Sequence, residues 1–265
     1  MTRNSVTKFI RLSEVQHSDF PDEWYELTHE DHFWFRWRLK AFLRQIKDLT
    51  ISTSQPLHGL DIGCGTGILR RQLERSTAWS IDGADLNANC LSQNKTMRGR
   101  TFLYDIHDRH KSFKSHYEFI ILFDVLEHIE NEKAFLESVL YHLKPRGWLF
   151  VNVPAMDLLM SEYDRVVGHL RRYNKKTVSA RLNSLYMDIK DIRYWGASNL
   201  PLLLFRKLWL GIHPRDPKGT IEIGFKPMTN WVNSLLSMPM HVETTLITKP
   251  ALGSSLLAAA TKPEE

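Results

Sequence analysis

Leu60-Asp61-Ile62-Gly63-Cys64-Gly65-Thr66-Gly67 decides how the rest of this 265-residue chain is read. It has the form of a buried strand end and a glycine-rich turn, followed by the opening of a helix, Ile68 to Leu73. An open α/β sheet forms its ligand crevice at such a strand-to-helix junction. Glycines there admit positive φ and let a ligand approach the main chain closely. A dinucleotide fingerprint has the spacing G-x-G-x-x-G, with a helix N-terminus facing a pyrophosphate. Here the third glycine, Gly67, comes one residue early, and an acid, Asp61, precedes the first. That acid would repel a pyrophosphate and suits an ammonium group instead.

The next strands end in acids too. Ala78 to Ala84 runs into Asp85, Thr101 to Tyr104 into Asp105, and Tyr117 to Phe123 into Asp124. The last of these is apolar throughout, as a strand buried on both faces requires. An acid in the place of Asp85 can accept hydrogen bonds from both hydroxyls of a ribose. Taken singly, such an acid is as well explained as a helix cap or turn residue. Four in register, with the glycine loop at the first, fit a nucleoside amino acid lying along the sheet edge. Asn131 caps a helix that reaches Leu143, Lys144-Pro145-Arg146-Gly147 stops it, and Trp148 to Pro154 gives the next strand.

The D-x-G-x-G-x-G arrangement from Asp61 to Gly67 resembles motif I of the class I S-adenosylmethionine-dependent methyltransferases. The resemblance implies an α/β fold, a Rossmann-like doubly wound sheet of seven mostly parallel strands with an antiparallel last strand. It implies S-adenosyl-L-methionine as cofactor, held by Asp61, Gly63, Cys64, Gly65 and Gly67 in the first loop and by Asp85 and Leu86 at the second strand. In the same pattern Asp105 accepts from the adenine amino group and Ile106 packs on the ring. Asp124 and Val125 lead into the loop beside the methionine end.

Composition sets further bounds. A formal charge of +5 is mild, and there is no dense basic, aromatic-laced stripe for nucleic acid. No apolar run approaches the ~18 residues of a membrane span. Met1 to Val6 lacks the apolar stretch of a secretory signal, and Cys64 and Cys90 form no CxxC pair. A cytoplasmic location without a structural metal is expected. Residues 1–55 read as a helical N-terminal segment, 56–155 as the cofactor-binding core, and 156–265 as a substrate loop, a helical cap and the last two strands. Those strands are expected at Asp191 to Ala197, after a helix from Lys176 to Met187, and at Ser254 to Thr261. The stretch His32 to Arg38 resembles the entry helix that folds over the cofactor in bacterial small-molecule methyltransferases. It makes Trp34 and Arg38 candidate substrate contacts. The alternative is a helix packing its aromatic residues on the core.

The segment Pro154 to Tyr173 resembles a V-P-A … S-E-x-D … G-H-x-R-R-Y signature of a bacterial methyltransferase group. Its chemistry suits deprotonation of a hydroxyl by His169 and capture of a phosphate or carboxylate by Arg171, Arg172 and Tyr173. Alternatively Arg171 and Arg172 pair with Glu162 and Asp164 to hold the loop, and His169 is a packed polar residue. Glu127 and His128 are further catalytic candidates. The Asp124…Glu127-His128 spacing also resembles ubiquinone-synthesis O-methyltransferases, where it is associated with a divalent metal. Those enzymes lack the G-H-x-R-R-Y element, and no metal is assigned here. Leu200 to Leu210 is greasy but too short to span a bilayer. As a helix it forms a lid, packs at an interface or rests on a membrane surface. Trp231 to Leu236 resembles the second helix of the same cap.

The favoured function is methyl transfer to the oxygen of a small-molecule acceptor, free or lipid- or glycan-linked. A nucleic-acid or protein methyltransferase, or a non-catalytic cofactor-binding partner protein, stands as the alternative. Phe123-Asp124-Val125-Leu126 is not the Asn/Asp-Pro-Pro-aromatic motif of base amino-methylation, so no nucleic-acid partner is expected.

Overall fold

The computed structural model describes residues 9–14, 24–25, 29–95, 98–225 and 230–264, with the backbone alone at 224–225 and 230–237. Met1 to Val6, read above for the missing signal stretch, lie outside the described residues. The strands are β1 (Ile10–Arg11), β2 (His58–Ile62), β3 (Ser80–Asp85), β4 (Thr101–Leu103), β5 (Tyr117–Phe123), β6 (Leu143–Pro154), β7 (Asp188–Trp195) and β8 (Ser255–Thr261). They form one sheet in the order β1-β4-β3-β2-β5-β6-β8-β7. Every pairing is parallel except those of β8, which runs antiparallel to both β6 and β7. The order reverses at β2, flanked by β3 and β5, and such a switch point leaves a crevice beyond the strand ends.

Apolar alternation along the strands builds two cores, one on each face. Ile120 and Leu122 of β5 pack with α4 (Glu132–His142) and α6 (Lys175–Asn183). Phe119, Ile121 and Phe123 pack on the opposite face with α1 (Phe33–Asp48) and α2 (Ile68–Ser76). The His32 ring accepts from the Trp34 N–H to start α1. Phe42 then docks the helix, with ring centroids 4.9 Å from Phe123 and 5.0 Å from Phe150. A short α3 (Ala88–Ser92) follows β3, and α5 (Glu162–Val166) lies in the loop after β6. Between β7 and β8 come α7 (Leu200–Ile212), α8 (Pro217–Phe225) and α9 (Asn230–Leu246). The stretch Trp231 to Leu236 falls in α9; its side chains lie outside the described residues.

Three boundaries differ from the sequence reading. The N-terminal segment is not all helical: Ile10–Arg11 adds an eighth strand beside β4, and Leu12 and Ser13 donate N–H bonds to the Leu103 carbonyl. Two residues are too few to display a period. Lys144 to Gly147 is not a loop, because β6 begins at Leu143 directly after α4 and absorbs it through a register shift opposite Tyr117 and Phe119. The helix after the substrate loop ends at Asn183, and a turn with Tyr186 at φ +57° starts β7 at Asp188, earlier than expected.

Candidate active site

A cavity of about 600 Å³ opens over the C-terminal ends of β2, β3 and β5. It is walled by α1, the loop after β6 and α7. Gly63, Gly65 and Gly67 all take positive φ, at 72°, 51° and 77°. A Cβ on Gly63 would sit 2.5 Å from Cγ2 of Val125, so the loops after β2 and β5 are in contact there. Gly63, Cys64 and Gly65 line the cavity. Gly67, between the lining residues Thr66 and Ile68, turns the backbone into α2 against Asn94.

The four strand-end acids all reach the cavity wall. Asp61 is 3 % exposed, forms no ion pair among the described residues, and burial pushes its carboxyl up to about 7. Asp85 accepts from the Gly65 N–H at 2.8 Å and from the Asn87 N–H at 2.9 Å. Those bonds tie the first loop to the end of β3, while burial still holds its carboxyl above the usual range. Leu86 beside it is an exposed part of the wall. Asp105 accepts from the His107 N–H at 2.9 Å, which seats buried Ile106 in the cavity. Asp124 sits at φ +59°, a strained conformation for a non-glycine residue. Its carboxylate takes Nη1 of Arg38 at 2.5 Å and Nδ2 of Asn152 at 2.7 Å. The Arg38 guanidinium lies over Trp34, 4.8 Å from the ring centroid. Both residues line the cavity.

Glu127, His128 and His169 come together on the same wall. Glu127 is fully buried and neither carboxylate oxygen has a hydrogen-bond partner. Burial, then the charge of Asp124, pushes its carboxyl well above its ordinary value. Nε2 of His169 lies 3.8 Å from Oε1 of Glu127, and Nδ1 lies 2.9 Å from Oδ1 of Asp164. Asp164 is itself fully buried and takes the N–H and Oγ–H of Ser161 on its other oxygen. His128 bonds the Gly168 carbonyl through Nδ1, its ring centroid 5.0 Å from that of His169. Desolvation lowers His128 to about 4. The three residues bring ligand-type atoms within 4.8 Å of one another, a spacing that could hold a cation.

The rest of the G-H-x-R-R-Y element is bonded within the protein. Arg172 reaches the cavity wall but is held by Asp164 at 2.7 Å and by the Ala155 carbonyl at 3.0 Å. Arg171 stands outside the cavity, bonded to the Ile129 carbonyl and 3.3 Å from Glu132. Tyr173 is also outside, its hydroxyl donating to Leu126 and Glu132 in the core. Both placements correct the substrate-binding reading. Charged side chains that find acceptors within their own loop are not left over for a ligand. Sequence reasoning missed Asn152 as the second anchor of Asp124. A polar residue in the apolar run Trp148 to Pro154 was the available signal.

Residues 27–197 match the family described as "Methyltransferase domain". The chain belongs to that family. Its sheet is that of solved S-adenosylmethionine-dependent methyltransferases, among them one from Archaeoglobus fulgidus, with a TM-score of 0.50 at 14% identity over 84% of this chain and 94% of that one. Curated relatives include two mitochondrial ubiquinone biosynthesis O-methyltransferases. The one of Candida albicans is 30% identical over 110 residues, 38% of this chain and 33% of that protein. The one of Dictyostelium discoideum is 26% identical over 180 residues, 61% of this chain and 55% of that protein. The chain thus spans about a third to a half of the length of these relatives. Among solved structures, it resembles a phosphoethanolamine N-methyltransferase of Haemonchus contortus in complex with phosphomonomethylethanolamine and S-adenosylhomocysteine. That likeness has a TM-score of 0.53 at 17% identity, covering 84% of this chain and 53% of that one. No described helix of this methyltransferase is long and apolar enough to cross a membrane.

Proposed function

We propose that this methyltransferase acts in the cytoplasm on a hydroxyl of a small-molecule acceptor, free or lipid- or glycan-linked, with His169 as the base. The observation that carries the reading is the Asp164–His169 pair on the cavity wall, 2.9 Å apart. An Nδ1–H donated to Asp164 fixes the tautomer whose Nε2 accepts a proton. The charge that balances the resulting imidazolium is that of Asp164, while Oε1 of Glu127 lies 3.8 Å from the same Nε2. The ubiquinone O-methyltransferase relatives support oxygen as the accepting atom.

The residues at the strand ends fit the cofactor. A buried carboxylate without an ion pair at Asp61 calls for a cationic partner, and the ammonium of an amino acid provides one. Gly63 and Gly65, at positive φ and without a Cβ, let a ligand approach the main chain of the first loop closely. Asp85 with Leu86 would hold the ribose, Asp105 with Ile106 the adenine, and Asp124 with Val125 the methionine end. Bound there, S-adenosylmethionine supplies a methyl group on a cationic sulfur that is already electrophilic. The protein's part is alignment of the acceptor oxygen, removal of its proton and exclusion of water. Trp34 and Arg38 close the cavity from α1 and would contact the acceptor.

The outward side of α7 exposes Phe205, Leu208 and Ile212 at helical spacing. We assign it to a membrane surface, from which a lipid-linked acceptor would enter. The function is tested by S-adenosylhomocysteine release with pooled lipid and glycan extracts. Release by wild type that falls about a hundredfold or more in His169→Gln, at unchanged S-adenosylhomocysteine affinity, supports the base assignment. Equal turnover in the variant refutes it.

A further inference from the structure

Arg206, in the middle of α7, points its guanidinium into the cavity rather than to solvent. Its Nε is out of reach of water and has no hydrogen-bond partner, and the side chain forms no ion pair among the described residues. It rests on the ring of Tyr163, with Cζ 4.0 Å from the centroid. Desolvation pulls it below the usual arginine range. A guanidinium whose Nε is buried without an acceptor is left under-satisfied, and a ring face offsets only part of that cost.

The charge of Asp164 acts on Arg206, but its oxygens are occupied by other donors. Oδ1 of Asp164 accepts from His169 and from Arg172, and Oδ2 from the Ser161 N–H and Oγ–H. Its lone pairs are spoken for. Glu127 has unpartnered oxygens but forms no ion pair with Arg206. Neighbouring Lys207 differs: its Nζ donates to the Leu158 carbonyl at 2.6 Å, on the exposed side. On its own helix Leu202, Leu203 and Trp209 share the cavity wall with it, and the neighbouring cation Arg172 adds repulsion rather than a counter-charge.

We infer that the acceptor carries an anionic group, a phosphate or a carboxylate, and that Arg206 binds it as the specificity-determining residue of the lid. The planar fork of a guanidinium takes either oxyanion in a two-point contact, with charge on both sides of the bond. The acceptor would thus be held at two places, its hydroxyl at His169 and its anion under α7. This deepens the proposed function and rests on it.

The test titrates phenyl phosphate, benzoate and uncharged phenol into the full chain, by calorimetry, with and without saturating S-adenosylhomocysteine. Wild type should bind one of the two anions at least about tenfold more tightly than phenol. Tighter phenyl phosphate assigns a phosphate, tighter benzoate a carboxylate. Arg206→Met should abolish the preference and Arg206→Lys retain part of it. Lys207→Met should leave it intact, which separates a site from the general basic charge of the chain. Equal binding of phenol, or a preference that survives Arg206→Met or vanishes equally in Lys207→Met, overturns the inference. S-adenosylhomocysteine affinity and melting temperature of each variant are read alongside, so a misfolded Arg206→Met is recognised and Arg206→Lys then decides. Failure of wild type to bind S-adenosylhomocysteine would sink the methyltransferase reading instead, and the titrations without it still report on Arg206.

Discussion

Asp61 makes cofactor affinity a function of pH, and the dependence can be worked out from its burial. With its carboxyl raised to about 7, it is mostly protonated at pH 6 in the empty protein. A cationic ammonium group requires the carboxylate, so binding below pH 7 must first expel a proton. Against an acid with that value, the expulsion costs about 1.4 kcal/mol at pH 6 and about 2.7 kcal/mol at pH 5, or roughly tenfold and then a hundredfold in affinity. Affinity for S-adenosylhomocysteine, which keeps the ammonium, should therefore climb from pH 5 and level off above 7.5. Calorimetry in two buffers of different ionisation enthalpy counts the protons released, approaching one at pH 5.5 and none at pH 8. Asp61→Asn should bind more weakly at pH 8 and show neither the climb nor the proton release attributable to this site. Stability has the opposite sign. A carboxyl raised above its unfolded value favours the folded state at low pH and loses that contribution as pH rises from about 4 through 7. A flat affinity between pH 5 and 8 in wild type, or equal binding by Asp61→Asn, would refute the assignment of this carboxylate to the ammonium.

Other outcomes follow from the same contacts. Arg38→Met strips the cation from Asp124, whose side chain keeps 25% exposure, so unfolding free energy should fall by about 3 kcal/mol; an unchanged denaturation midpoint would contradict the pairing. Burial opposes ionisation of Asp82, yet hydrogen bonds from His58 and Arg100 hold its carboxyl well below the usual range. Its stabilisation is therefore complete above pH 4 and lost as pH falls further, and Asp82→Asn should flatten that acid limb in urea titrations at pH 7, 4.5 and 3. Turnover should stay within about twofold in EDTA; a loss restored by magnesium would make Glu127, His128 and His169 ligands instead. Replacing Phe205 and Leu208 by serine should abolish co-sedimentation with anionic vesicles, whereas equal pelleting of both proteins would leave α7 without a membrane role.

Much of the fold was legible because its signals are local. A strand buried on both faces writes its own apolar run, as Tyr117 to Phe123 does, and the ends of β2 to β5 are marked by acids. The Asn131 cap was readable for the same reason. What failed to show in the sequence depends on partners far along the chain. Ile10–Arg11 is a strand only because β4 has a free edge. Arg171 and Tyr173 looked available until Glu132, on α4, proved to engage both. Arg206 had the reverse fate, since nothing in Leu200 to Leu210 indicates that its cation turns inward while Lys207 turns outward.

The antiparallel strand has a consequence for how the molecule is made. Among the described residues β7 pairs with no strand except β8, whose residues follow the whole of α7, α8 and α9. While the chain is emerging, β1 through β6 can assemble with their own helices, whereas β7 must wait with its edge unpaired and the lid above it unanchored. The cofactor crevice is thus shaped first, and the acceptor side is closed by the last zipper of the sheet. An arrest of synthesis before Ser255 should leave a polypeptide able to hold the cofactor but with an exposed strand edge, a target for chaperones and for pairing with other nascent copies.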